Sequence, residues 1–341
     1  NFVSKNFILH FFNKPTESRK KIRFDFAEMK VILLTIEIFV LMNICWAINT
    51  DRNNLDLELK VKTNQSFVCN VKQLSIRYNH IIGLKLNLTN DSIVMIHAFN
   101  NEQNAFVYVN RLDLEHIILA SNSIKFVDSL LLDYFPKLIS LDLYYNRLEV
   151  VWFESMSNLS FHLKFLNLRR NSFMSLEGSS FKYFNNLEVL DLSFNFIESI
   201  PNGTLSHLFN LKEIYLNSNL MSSLNLECFL CQSIYLELMD LSNNKIETIN
   251  SNVFTNLANL KKLYLNGNKL FRISKEMFNS IFLSNLTRLN LSYNPISEID
   301  AYNFQMLESL EIFEMKYIGS RLHLKSMTFY GLNRVKEFNV M

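Results

Sequence analysis

The chain has 341 residues, of which 49% are apolar and 19% charged, so it has ample material for a core and is excluded from the disordered class. A formal net charge of +2 gives no electrostatic argument for a nucleic acid or an anionic membrane as partner. With only six Gly and four Pro, a Gly-rich phosphate loop and a flexible Gly/Ser linker are excluded as well.

In chain order, the first landmark is Met29, followed by Lys30 and a mostly apolar run from Val31 to Ala47 with one charged residue, Glu37, inside it. A basic start, a short apolar run and small residues at its end (Cys45 and Ala47) describe a secretory signal peptide over 29–47. Residues 1–28 then read as upstream translation or a cytoplasmic flank, and the mature chain begins near Ile48. The alternative is an uncleaved signal anchor, although the run is short for a membrane span. Arg19, Lys20, Lys21, Arg23 and Lys30 all precede the run, so both readings place the rest outside the cytoplasm. A membrane attachment is expected only through that anchor or through a segment beyond Met341.

Residues 48–109 read as an N-terminal cap with irregular repeats. Val71, Leu74, Ile76, Asn79 and Ile81 fit a repeat pattern, whereas Ile93, Ile96, Ala98 and Asn101 fit it poorly. From 110 to 341 the pattern Leu-x-x-Leu-x-Leu-x-x-Asn-x-Leu is regular. Its asparagines are Asn122, Asn146, Asn171, Asn195, Asn219, Asn244, Asn268 and Asn294, with steps of 24, 25, 24, 24, 25, 24 and 26 residues. In Leu-x-Leu the leucines share one face of a short strand and the x residues share the other. One turn cannot bury its apolar side alone, so turns must stack as a parallel sheet. A buried Asn amide both donates and accepts, and can satisfy the backbone where the chain leaves each strand. Between the strands, steps such as Phe181-x-x-Phe184-x-x-Leu187 and Phe254-x-x-Leu257-x-x-Leu260 suit short helical or 3-10 turns on the outer wall. Near the end Ile318 stands where the ladder asparagine would be, and no cysteine-rich closing segment follows Val335, Phe338 and Val340. An uncovered last turn would expose apolar surface, so the sequence is expected to be a piece of a longer chain or a truncated gene model.

These residues resemble the typical 24-residue class of extracellular leucine-rich repeats. That class includes Toll and Toll-like receptor ectodomains, the adhesion proteins chaoptin and connectin, and insect immune leucine-rich-repeat proteins. The resemblance implies an α/β solenoid: a right-handed horseshoe with a parallel β-sheet on the concave face and short helical or 3-10 turns on the convex face. It also implies a recognition module, secreted or on the cell surface, whose concave face meets a protein ligand or co-receptor, or a microbial or glycan ligand. An innate-immune or receptor role is the first expectation, and a cell-adhesion or matrix role is the alternative.

Cys228 and Cys231 form C-x-x-C on the outer wall. A secreted context favours a disulfide over redox chemistry, and zinc would need further ligands. The alternative is a pair of free thiols. Cys69 has no obvious local partner, and pairs with a missing segment, pairs with another chain, or stays a buried thiol. Seven N-x-S/T sequons occur, at Asn64, Asn87, Asn90, Asn158, Asn202, Asn285 and Asn290. Asn64, Asn158 and Asn202 are the expected glycosylation sites, the latter two in outer loops, while Asn290 lies in a strand on the concave side. There is no H-E-x-x-H, G-x-S-x-G, Walker loop or kinase signature. No enzyme activity, metal or cofactor is therefore expected. Asp142, Asp191 and Asp240 recur in one column of successive strands, which reads as architecture before it reads as a catalytic pair.

Aromatics and Arg are enriched at binding hot spots. The densest such group on the concave side is Tyr144, Tyr145, Phe165, Arg169, Arg170, Phe194 and Tyr215. It is the candidate protein-contacting patch. The competing explanation is that Tyr and Phe simply suit an exposed parallel sheet.

Overall fold

The computed structural model describes strand backbones between residues 57 and 110 and most of residues 114–340. Residues 1–56, 151–161 and 225–232, with several shorter stretches, lie outside the described residues. The expected signal segment, with its boundaries, is among them.

Twelve short strands form one sheet that follows chain order from Leu57–Leu59 to Glu337–Val340, every pair parallel. The register is set by the repeat. Leu141 opposes Leu166, Leu166 opposes Leu190, and Leu190 opposes Ile214. Met239, Leu263, Leu289 and Phe313 continue the same row. In most of these strands the central residue is buried and its neighbours are half-buried. This follows from the two-residue period of a strand that has one face on the core. Leu141, Leu190 and Leu263 are each 0% exposed, so truncation of any one to Ala would cost about 2–5 kcal/mol.

The outer wall is built from tight turns, and the described residues contain no α-helix. The expected helical turns occur only in their 3-10 form, at Ser251–Phe254 and Ile281–Leu283 and as single i→i+3 bonds. Phe184 N donates to Phe181 O, Leu187 N to Phe184 O, and Leu257 N to Phe254 O. A three-residue apolar step matches a helix with three residues per turn, and too few residues remain to extend it. Inside this wall Phe254, Phe278, Phe304 and Phe329 stack at centroid separations of 6.3, 5.8 and 6.2 Å. The high phenylalanine content is therefore in large part a core spine.

Residues 83–110 depart from the repeat. Gly83–Asn90, Ile93–Phe99 and Asn104–Asn110 pair antiparallel, and Val68–Cys69 adds in parallel to the last of them. The strand Gln73–Ile76 pairs directly with His116–Ile118, so the run from Ile93 to Asn101 does not enter the main sheet. The reason is visible in the sequence: Leu84, Leu86 and Leu88 alternate with polar residues up to an Asn-Asp-Ser turn, a hairpin signal that outweighs the weak repeat match.

Candidate functional site

The ladder asparagines fix the frame of the site. From Asn146 to Asn294 each is buried, between 1% and 7% exposed. Asn171 is representative: its Nδ2 donates to Leu168 O and to Leu143 O, both at 3.0 Å, and its Oδ1 accepts from Leu148 N at 3.0 Å. Asn146, Asn195, Asn219, Asn244, Asn268 and Asn294 repeat the scheme. Asn122 donates to Leu119 O at 2.9 Å. At the next turn Ile318 offers no amide, and only the backbone bond common to the regular turns is kept, from Gly319 N to Ile296 O at 3.1 Å, as Phe196 N donates to Phe173 O at 2.9 Å.

Two further columns shape the open sheet face. At the third position of several strands an Asp or Asn accepts from the backbone two residues on. Asp142 takes Tyr144 N, Asn167 takes Arg169 N, and Asp191 takes Ser193 N, while Asp240 takes Ser242 N and Asn290 takes Ser292 N. This is an Asx turn at the strand exit. The recurrence of Asp142, Asp191 and Asp240 thus has a structural explanation. The residue before each ladder asparagine has positive φ: Ser121, Tyr145, Arg170, Phe194, Ser218, Asn243, Gly267 and Tyr293 lie between +54° and +69°. That column could not be read from the sequence, because only Asn243 and Gly267 are residue types that favour it.

The candidate patch resolves into a cluster, a pair and two separate residues. Arg169 lies 4.3 Å and Arg170 5.2 Å from the Phe194 ring centroid, and Arg169 Nη1 donates to Ser193 Oγ at 3.1 Å. Tyr144 and Tyr145 are in ring contact at 5.9 Å. Phe165 stands in the first strand column between Ser140 and Val189, and Tyr215 in the third column between Asp191 and Asp240. Tyr145, Phe165 and Phe194 are 56%, 43% and 37% exposed, and what sets them apart from other exposed apolar side chains such as Phe271 and Tyr317 is that they share neighbouring turns with two arginines.

Burial dominates the electrostatics of this face. It pushes the Asp142 and Asp240 carboxyls above the usual aspartate range, and the Asp191 charge adds to both shifts. It also raises the Tyr215 phenol, which donates to Glu213 Oε2 at 2.7 Å and stays neutral. Farther along, Arg288 pairs with Glu314 at 3.0 Å.

A second feature was not anticipated. On the flank where the strands begin, a groove of about 780 Å³ is lined by Lys137, His162, Lys164, Glu188, Lys212 and Tyr235, among others. Glu188 holds Lys164 at 2.8 Å through one oxygen and Lys212 at 2.7 Å through the other. Both lysines pull its carboxyl below the usual glutamate range. The signal was present in the sequence, since the residue after the first leucine of each turn alternates in charge through Lys164, Glu188, Lys212, Glu237 and Lys261.

Cys228, Cys231, Asn64 and Asn158 lie outside the described residues, and of Cys69 only the strand backbone is described. Asn202 is exposed in an outer turn, and Asn290 is half-buried on the open sheet face. Among the described residues no group of three or more His, Cys, Asp or Glu could hold a metal ion. No helix among them is long and apolar enough to cross a membrane.

A family model for the leucine rich repeat matches residues 161–221, 210–270 and 259–317. The chain is 30% identical over 173 residues, 50% of its length, to the human leucine-rich repeats and immunoglobulin-like domains protein 1, of which the match covers 13%. It is 33% identical over 117 residues, 30% of its length, to mouse Toll-like receptor 9, of which the match covers 11%. Among solved structures, a crystal structure of a TLR13–ssRNA13 complex aligns with TM-score 0.59 and 26% identity, covering 67% of this chain and 36% of that one. The chain thus spans only a small part of these relatives. The phased strands, the asparagine rungs and these matches agree: the chain belongs to the leucine-rich-repeat family and is related to the Toll-like receptors.

Proposed function

We propose that this chain is an extracellular recognition module, not an enzyme, that binds a protein partner through the open face of its parallel sheet. The observation that carries the reading is the cluster at turns 144–215. There exposed aromatics and two arginines gather on a face whose backbone is already satisfied by the sheet and the asparagine rungs. Side chains of this kind, held on a rigid scaffold and left in water, are the usual anchors of protein interfaces. Innate-immune or receptor-type recognition is the first reading, supported by the likeness to Toll-like receptors. Cell adhesion is the second reading, and the likeness to a protein with leucine-rich repeats and immunoglobulin-like domains supports considering a role other than that of the Toll-like receptors. A microbial or glycan ligand is a further outcome of the test. RNA, the ligand of the TLR13 relative, is disfavoured here: Asp142, Asp191, Glu213 and Asp240 share the face with Arg169 and Arg170, and a polyanion would meet net negative charge.

An array of secreted and cell-surface proteins, supplemented with glycans and single-stranded RNA, should be probed with the chain and with a Tyr144→Ala/Arg169→Ala variant. Glu198→Ala, on the outer side, is the control. Loss of a protein partner in the double variant alone supports the reading. Partners unaffected by it, or binding confined to RNA, would overturn it.

A further inference from the structure

Within the sheet face proposed above as the binding surface, two columns run side by side across the turns. The first strand position carries Phe165, Val189 and Leu238, interrupted by Glu213. The third carries Asp142, Asp191 and Asp240 at every second turn, with Asn167 and Tyr215 between them. All these residues are half-buried or exposed. The face is therefore mostly apolar along one line and negative along a parallel line, and among the described residues between 140 and 240 the arginines Arg169 and Arg170 are set against its four carboxylates, Asp142, Asp191, Glu213 and Asp240.

We infer that this face seats a protein segment in the polyproline-II conformation with Arg or Lys at every third position. Parallel strands lie about 4.8 Å apart, so aspartates two turns apart recur roughly every 9.6 Å. A polyproline-II helix rises about 3.1 Å per residue with three residues per turn, and so presents one side chain in line every ~9.3 Å. A β-strand presents its side chains in line every ~6.7 Å and falls out of phase with the carboxylates. The apolar column has the character of grooves that take proline ridges, with Phe165 at one end and the Tyr215 ring on the opposite side. A cation arriving over Asp142 or Asp240 meets a carboxylate already short of water, so the attraction is less screened than at an open surface.

The inference rests on the sheet face being the binding surface, and the structure supplies a clean variant. Asn167 and Asn290 make the same Asx turn as the aspartates, so aspartate-to-asparagine changes remove charge and keep the turn. Fluorescence anisotropy should be measured on the full chain at low salt with labelled Ac-(Pro-Pro-Arg)4-NH2. Controls are (Pro-Pro-Glu)4 and an isomer in which the eight prolines precede the four arginines. Expected are saturable binding of the first peptide, none of the acidic peptide, at least threefold weaker binding of the isomer, and at least tenfold loss in Asp142→Asn/Asp191→Asn/Asp240→Asn. Circular dichroism confirms that the variant is folded. No binding of the first peptide, equal binding of the isomer, or an unaffected triple variant would overturn the inference. If the first peptide fails while the array partner is still lost in Tyr144→Ala/Arg169→Ala, the occupant is wrong and the binding face stands.

Discussion

The Asn195 side-chain amide donates to the carbonyl of Leu168, 27 residues earlier, at 3.1 Å. The same nitrogen donates to Leu192 O at 2.9 Å, and Oδ1 accepts from Phe173 N at 3.2 Å. One 5%-exposed side chain thus satisfies buried backbone groups of two turns at once. Removing it strands those groups away from water, at about 1–3 kcal/mol for each one left unsatisfied. Asn195→Ala should lose about 2–4 kcal/mol in urea unfolding. Asn167→Ala, which removes one part-buried bond to Arg169 N, should lose about 1 kcal/mol. Equal losses would show that the rung is not the stronger tie.

The ladder was legible because its chemistry forces its spelling. A buried group that must donate twice and accept once leaves few residue types besides Asn, so Asn146, Asn171 and Asn195 recur in phase. The leucine rows are legible for the same reason, since only an apolar side chain fits between stacked turns. The candidate patch was legible only as a set of positions. Which of its members meet depends on side-chain direction, and Phe194 lies against Arg169 and Arg170 because of a positive φ that neither Phe nor Arg advertises. The antiparallel strands at 83–110 were missed because a repeat frame was extended across a stretch whose two-residue alternation argued otherwise.

The positive-φ column separates stability from recognition. An L-residue in the left-handed region costs about 1–2 kcal/mol, from which the entropy of a glycine subtracts about 0.5–1 kcal/mol. Tyr145→Gly and Arg170→Gly, at φ +54° in exposed side chains, should therefore raise stability by about 0.5–1 kcal/mol while weakening partner binding. The reverse change, Gly267→Ala, drives a Cβ into Asn243 Oδ1 at φ +69° and should destabilise. Thermal melts of the three variants check the signs, and a stabilising Gly267→Ala would contradict the strain argument.

The Lys164, Glu188 and Lys212 ladder should matter little to folding. All three side chains face water, at 50%, 20% and 52% exposure. Exposed pairs are screened and give up side-chain entropy to hold their geometry. The Glu188 carboxyl is held below its ordinary value of 4.5, so its contribution is present above that value and is lost as pH falls through the lowered one. Glu188→Gln should leave the melting temperature almost unchanged at neutral pH, with the small difference vanishing in 1 M salt. A large loss that persists at high salt would mean that the ladder is structural.

Asp240 reverses that sign. Burial raises its carboxyl above the ordinary 3.8, the Asp191 charge adds to the shift, and the bonds from Ser242 oppose it. The folded chain then holds the proton more tightly than the unfolded one. Between 3.8 and the raised value, stability falls as pH rises, and at neutral pH the fold carries the full cost of a partly desolvated charge. Asparagine keeps the oxygen that accepts from Ser242 N, as Asn290 does from Ser292 N, and has no charge to bury. Asp240→Asn should therefore be more stable than the parent at pH 7, and the gain should shrink to nothing as pH falls below the ordinary aspartate value. Urea unfolding of both chains across that range checks it. A variant that is less stable at neutral pH would show that the charge-assisted bond to Ser242 outweighs desolvation, and the carboxylate would then be at that position for the fold, with no charge to spare for a partner.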